Sequence, residues 1–141
     1  MADLLQAEGK EIAILCSQIL TQTQIPLTDD QNLFLETILQ QTDKFLQIVE
    51  ESRERLAEMR AGIAYYRVGH DILTPLVSVI GYGEILIAGI GGPLHDDHLA
   101  IIKKILLTGY ELRDTIDELM IQAKKDTGYS KDSEFVEWNN T

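Results

Sequence analysis

The chain has 141 residues, and its 12 basic and 23 acidic residues give it a formal net charge of −11. That length fits one domain with its own core, and a hydrophobic share of 45% with a charged share of 25% is typical of a globular protein. The negative charge disfavours nucleic acid or an anionic membrane surface as the main partner and leaves a basic or metal-bearing partner open. A single cysteine, Cys16, excludes an intramolecular disulfide. We see no secretory signal and no membrane-length apolar run, so we expect a cytoplasmic protein.

Residues 1–27 are predicted to form a short helix and a linker. Apolar residues recur loosely on one helical face between Ala2 and Leu20, and Pro26 then ends the pattern. The next residues, "TDDQ" at Thr28–Gln31, have the form of a capping box. A second helix is therefore expected to begin there.

Residues 28–64 are predicted to form one long helix that continues into the following segment. Its apolar stripe alternates spacings of three and four residues, with Thr42 and Ser52 as polar interruptions: Leu35, Ile38, Thr42, Phe45, Val49, Ser52, Leu56, Met59 and Ile63. This pattern fits either a coiled-coil seam between two chains or an amphipathic helix packed on the first helix. No internal repeat is apparent in the sequence.

Residues 65–125 are predicted to form a helical hairpin. The loop "AGIGGPLHDD" separates two apolar-periodic segments, and two long helices joined by a short loop should lie antiparallel. The histidines of "HDDH", His95 and His98, are interpreted as capping or solvated residues, so no metal site is predicted. The acidic tail, residues 126–141, is either disordered or docked on the bundle.

The first helix of this hairpin carries an unusual polar cluster. On a helical wheel Ile72, Leu76 and Val79 form one stripe, and His70 and Thr74 fall nearly opposite, away from the core. An unprotonated imidazole nitrogen is a nucleophile, and a neighbouring carboxylate such as Asp71 can stabilise the cation formed on attack. Such a pair suits phosphoryl acceptance, in which the protein mainly positions and stabilises the reacting groups.

The string "HDILTPL" at 70–76, followed by "VSVIGYGEIL", resembles the phosphoacceptor box of the dimerisation domain of bacterial sensor histidine kinases. The resemblance covers positions 65 to 123. It implies an all-α fold in which the hairpin pairs with a second copy to form a homodimeric four-helix bundle, preceded here by the long coiled-coil-like helix and the short N-terminal helix. It also implies roles for His70 as phosphoacceptor, Asp71 as activator and Thr74 as the hydroxyl used in phosphate removal, with Pro75 and Leu76 as part of the structural motif.

Two departures from the family pattern bear on partners. Leu73 stands where the family usually has a polar residue, and with Val77 it leaves an apolar flank that could dock a partner. No nucleotide-binding motif is visible, so we expect no autonomous ATP-dependent kinase activity and no bound cofactor. ATP and Mg²⁺ would then belong to partner domains: a kinase catalytic domain supplied in trans, or the receiver domain of a response regulator.

Three functional interpretations remain open from the sequence. His70 exchanges a phosphoryl group with a response-regulator aspartate; or the chain is a non-catalytic dimeric adaptor that binds a histidine kinase or response regulator; or it is one part of a split kinase. Asp71 and Thr74 favour transfer, because an adaptor has no chemical need for either residue. Leu73 favours the adaptor.

Overall fold

The computed structural model describes residues 1–58 and 63–126, without the side chains at 58, 63–65 and 126. This part of the chain contains helices and no strand, which confirms the predicted all-α class. Its helices are α1 (Ala2–Thr21), α2 (Asp29–Glu51), α3 (Arg53–Glu58), α4 (Ile63–Ile87) and α5 (Asp96–Asp126). Apart from Asp126, the predicted acidic tail lies outside the described residues.

The four long helices form an up-down-up-down bundle within one chain. Helices α1 and α2 make one antiparallel hairpin, and α4 and α5 make another. The hairpins pack side by side, with α2 against α4 and α1 against α5. The resemblance implies a bundle made by two copies of the second hairpin, whereas in this chain that hairpin packs against α1 and α2.

The apolar stripe of α2 packs inside this bundle. Leu35, Ile38, Phe45 and Val49 are each at most 1% exposed, between α1 and α4. The structure differs from the expected continuous helix, because α2 ends at Glu51 and Ser52 starts a new turn before α3. A reversal after α2 is needed for α2 and α4 to lie antiparallel, since the N-terminus of α2 lies against the loop that follows α4.

The capping box predicted at the start of α2 is confirmed. The Thr28 hydroxyl accepts a hydrogen bond from the Gln31 backbone N–H at 3.0 Å, and the Gln31 side chain accepts one from the Thr28 N–H at 3.0 Å. The same two side chains reach the other hairpin. The Thr28 hydroxyl donates to the Gly91 carbonyl at 2.6 Å, and the Gln31 amide donates to the carbonyls of Gly92 and Pro93, each at 3.1 Å.

The two hairpins are copies of one pattern, offset by 67 residues, which the sequence analysis missed. "PLTDDQ" at positions 26–31 precedes α2 just as "PLHDDH" at positions 93–98 precedes α5. Core positions follow the same offset. Seven pairs have both members at most 1% exposed: Leu5 and Ile72, Ile12 and Val79, Ile19 and Leu86, Leu35 and Ile102, Ile38 and Ile105, Phe45 and Leu112, and Val49 and Ile116.

This shared core explains why two such different sequences take one shape. Burying a Leu or Ile side chain contributes about 2 kcal/mol to folding, so the matched apolar positions fix the packing of both hairpins. Polar surface positions are left free to differ. The two hairpins therefore resemble each other in which positions are buried and in the motif that precedes α2 and α5, more than in the identity of their residues.

Helix α4 is long and apolar enough to cross a membrane by length and composition alone, over Tyr66–Ile87 with a mean hydropathy of 1.2. In the bundle its apolar stripe packs against α2 and α5, and its outer face carries His70 and Asp71. We therefore interpret α4 as a core helix of the bundle.

Candidate functional site

The polar residues of the box lie on the outer face of α4. His70, Asp71 and Thr74 are all exposed, and Ile72 and Leu76 on the opposite side are at most 1% exposed. This is the arrangement that the helical wheel predicts. The imidazole of His70 is therefore accessible to a large partner.

The backbone beside the histidine departs from ordinary helix hydrogen bonding. Pro75 lies inside α4 and has no N–H, so it cannot donate to the carbonyl of Asp71, four residues earlier. The Thr74 hydroxyl donates to the carbonyl oxygen of His70 at 3.3 Å. The carbonyl of Asp71 thus lacks the backbone N–H donor that it would have in a regular helix, whereas the carbonyl of His70 accepts from the Thr74 hydroxyl.

The structure does not pair His70 with Asp71. Within residues 1–58 and 63–126, no hydrogen bond or ion pair joins the imidazole to that carboxylate. Successive helical residues point about 100° apart, so the two side chains leave the helix in different directions. The expected contact with the imidazole therefore requires a side-chain rotation, which the exposure of both residues permits.

The apolar flank predicted beside the histidine is divided between core and surface. Leu73 is partly buried and packs against the core, whereas Val77 is 51% exposed. Packing thus gives Leu73 a role within the bundle. Val77 is left as the exposed apolar group one turn past Leu73.

Helix α5 approaches α4 closely behind the site. A Cβ added at Gly69 would lie 2.6 Å from Cγ of Met120, so glycine is what allows this approach next to His70. One turn earlier, the ammonium of Lys124 lies 4.7 Å from the ring centre of Tyr66. His70 therefore lies on a helix that packs closely against α5.

The first hairpin carries different residues at the positions that match the box. With the offset of 67, the box residues His70, Asp71, Thr74 and Pro75 correspond to Asp3, Leu4, Ala7 and Glu8. Asp3 forms an ion pair with Arg53 at 2.6 Å, and Arg53 also contacts Glu50 at 3.1 Å. The hydrogen bond and charge of Arg53 lower the pKa of Asp3.

The two other histidines lie at the start of α5. His95 caps this helix, because its Nδ1 accepts a hydrogen bond from the Asp97 backbone N–H at 3.1 Å. His98 is 3% exposed, and its Nε2 has no hydrogen-bond partner. Burial, and secondarily the nearby His95, lowers the pKa of His98. In the described ranges no three His, Cys, Asp or Glu side chains are grouped to hold a metal ion.

A shallow apolar groove between α4 and α5 was not anticipated from the sequence. Its lining residues are Glu84, Ile87, Ala88, Lys103, Leu106, Leu107 and Tyr110. The Tyr110 hydroxyl donates to the Glu84 carboxylate at 3.1 Å, and Leu107 is 59% exposed. Glu84 lies 14 residues along α4 from His70, or about 21 Å at 1.5 Å per residue. The groove is therefore separate from the box.

No family model, curated protein or solved structure matches this chain.

Proposed function

We propose that this chain is a phosphotransfer protein of two-component signalling, in which His70 exchanges a phosphoryl group with the aspartate of a response-regulator receiver domain. We place this activity in the cytoplasm. The receiver would bring its own Mg²⁺, and a kinase catalytic domain acting in trans would bring ATP.

One observation carries the proposal. Helix α1 of the first hairpin corresponds to positions 69–88 and has Asp3, Leu4, Ala7 and Glu8 where α4 has His70, Asp71, Thr74 and Pro75. The fold therefore has no need of these box residues, and proline carries a cost of roughly 3 kcal/mol inside a helix. A function is the remaining reason to group a histidine, a carboxylate, a hydroxyl and a proline on an exposed helix face.

The chemistry of the exchange follows from these groups. An unprotonated ring nitrogen of His70 attacks the phosphorus of the receiver's aspartyl phosphate, so an N–P bond forms as the P–O bond to the aspartate breaks. The aspartate leaves as a carboxylate. The imidazole then carries a positive charge, which the carboxylate of Asp71 stabilises after rotating toward the ring. The reverse step returns the phosphoryl group to the receiver.

An adaptor function is the second candidate, and the separation of His70 from Asp71 favours it. In this alternative the exposed face with Val77 binds a kinase or response regulator without chemistry. Leu73 no longer supports the adaptor, since its packing against the core accounts for an apolar residue at that position.

Intact-mass spectrometry at neutral pH separates the two functions. The chain is incubated with a panel of phosphorylated receiver domains and, separately, with ATP plus an isolated kinase catalytic domain. We expect an acid-labile phosphoryl adduct that is lost in His70→Ala and retained in His95→Asn, a control that changes another exposed histidine and keeps a capping side chain. Binding of a receiver with no adduct from any donor would support the adaptor.

A further inference from the structure

The internal repeat means that both halves of the four-helix bundle come from one chain. It therefore bears on how many subunits and how many acceptor histidines the protein has. The hairpin α4–α5 buries its apolar stripe against α1 and α2 of the same chain. Matched core positions of the two hairpins are almost completely buried, for example Ile38 and Ile105 at 0% each. The surface that a second α4–α5 hairpin would need is thus already covered.

We infer that the first hairpin is a built-in replacement for a second subunit, so that the protein is a monomer with one phosphoacceptor face and binds one receiver domain. The number of acceptor sites rests on the proposed function. The monomeric state does not rest on that function, because it is inferred from the packing of the two hairpins.

Specific contacts join the start of α2 in the first hairpin to the loop of the second hairpin. Thr28 and Gln31 of the first hairpin donate three hydrogen bonds to carbonyls of the loop at positions 91–93. A Cβ at Gly91 would lie 3.1 Å from Cβ of Asp30, and Gly91 has a φ of +94° that other residues rarely adopt. Close approach between the hairpins is thus built into both sequences.

Outside the groove between α4 and α5, the described outer surface carries scattered apolar side chains. The exposed large apolar side chains among the described residues are spread over the N-terminus, all four long helices and one loop: Met1, Leu4, Ile14, Leu33, Val77, Ile90, Leu107 and Ile121. A chain with a net charge of −11 also repels a copy of itself.

The face of the first hairpin that corresponds to the box has no histidine to accept a phosphoryl group from a receiver aspartate. Asp3 occupies the position of His70, and its carboxylate is engaged by Arg53, which also contacts Glu50. Asp3 and Glu50 carry negative charge here, which disfavours the approach of a negatively charged phosphoryl group. A receiver is therefore expected on the His70 face alone.

Isotope mixing tests whether the hairpins pair within one chain. Light and isotopically heavy full-length chains are unfolded together, refolded, and treated with an amine-reactive cross-linker. The first hairpin has lysines at Lys10 and Lys44, and the second has Lys103, Lys104, Lys124 and Lys125. We expect every cross-link between the hairpins to join peptides of the same isotope. Links between light and heavy peptides at about half of the total would overturn the inference.

Native mass spectrometry gives an independent readout. We expect a particle of 15.9 kDa that binds one receiver domain. A particle of twice that mass would overturn the inference. A chain that stays monomeric but takes up no phosphoryl group would defeat the proposed function and leave the replacement of the second subunit supported, so the two failures are distinguishable.

Discussion

Gln31 and His98 occupy the same position in the two hairpins, and each is 3% exposed. The Gln31 amide donates to the backbone carbonyls of Gly92 and Pro93 in the opposite loop. His98 has an unpartnered Nε2 at the matching place. At this end of the bundle, the buried amide of Gln31 is hydrogen-bonded, whereas the buried Nε2 of His98 has no hydrogen-bond partner.

This asymmetry should make stability depend on pH. Burial lowers the folded-state pKa of His98 from its ordinary value of 6.5, so the unfolded chain binds this proton more readily. Stability is therefore fully present above about pH 6.5 and falls as the pH drops toward the lower folded-state value. In His98→Gln, which copies Gln31, we expect this loss below pH 6.5 to be reduced. Urea unfolding of both proteins across this range measures it.

A matched control is His95→Asn, which changes an exposed histidine of the same helix start. It should leave most of the pH dependence in place, because the burial of His98, the larger cause of its lowered pKa, is kept and only the smaller contribution of His95 is removed. Equal pH dependence in the wild type and His98→Gln would show that His98 does not cause the effect.

Thr28→Ala should weaken the junction between the hairpins. The substitution removes the cap of α2 and the hydrogen bond to the Gly91 carbonyl, and cap removal alone typically lowers the free energy of unfolding by about 1 kcal/mol. We expect a loss of about 1–2 kcal/mol in chemical denaturation. Thr37→Ala is the control, because the exposed Thr37 hydroxyl bonds only within its own helix, to Leu33. Similar losses in both variants would contradict a role for Thr28 in the junction.

Cys16 should be inert toward thiol reagents in the folded protein. Burial raises the pKa of its thiol to about 12, and the Sγ atom donates to the Leu35 carbonyl at 3.1 Å. At pH 8 the thiolate is therefore rare and inaccessible. A disulfide-exchange reagent should modify the wild type only after unfolding, whereas Ile14→Cys, at a position 60% exposed, should react at once. Rapid modification of native wild type would show that α1 detaches from the bundle.

Pro75→Ala should separate stability from function. Alanine restores the donor to the Asp71 carbonyl, and we expect the free energy of unfolding to rise by about 1–2 kcal/mol after loss of the buried proline ring is included. Phosphoryl transfer to His70 should become slower, because the Asp71 carbonyl beside the histidine is no longer free to accept a hydrogen bond. A variant that is both more stable and equally active would show that the proline is dispensable for the chemistry.

The wheel placed the box on the surface correctly, because helical period alone determines which residues share a face with Ile72 and Leu76. The same reasoning could not say what covers the buried face. An apolar stripe predicts burial without naming the neighbour, so the bundle was expected to need a second chain, whereas the structure closes it with α1 and α2. The unbroken helix expected before α4 was wrong because Ser52 separates α2 from α3, and no glycine or proline at that position marks the break.

His98 was missed because it was read with His95 as a short polar motif. The signal that would have found it is the alignment of "PLHDDH" with "PLTDDQ", which places His98 opposite a capping glutamine. That alignment also gives the clearest comparison for the site, since it shows Asp3 where His70 stands.

The most direct test of the central claim follows both partners of one transfer reaction over time. A phosphorylated receiver domain is mixed with the chain, and the phosphoryl adduct on each protein is quantified by intact mass, with the modified residue located by fragmentation. The account predicts that the receiver loses phosphate as His70 gains it, at a rate reduced by Asp71→Ala. A receiver that binds the chain, keeps its phosphate and leaves His70 unmodified would contradict it.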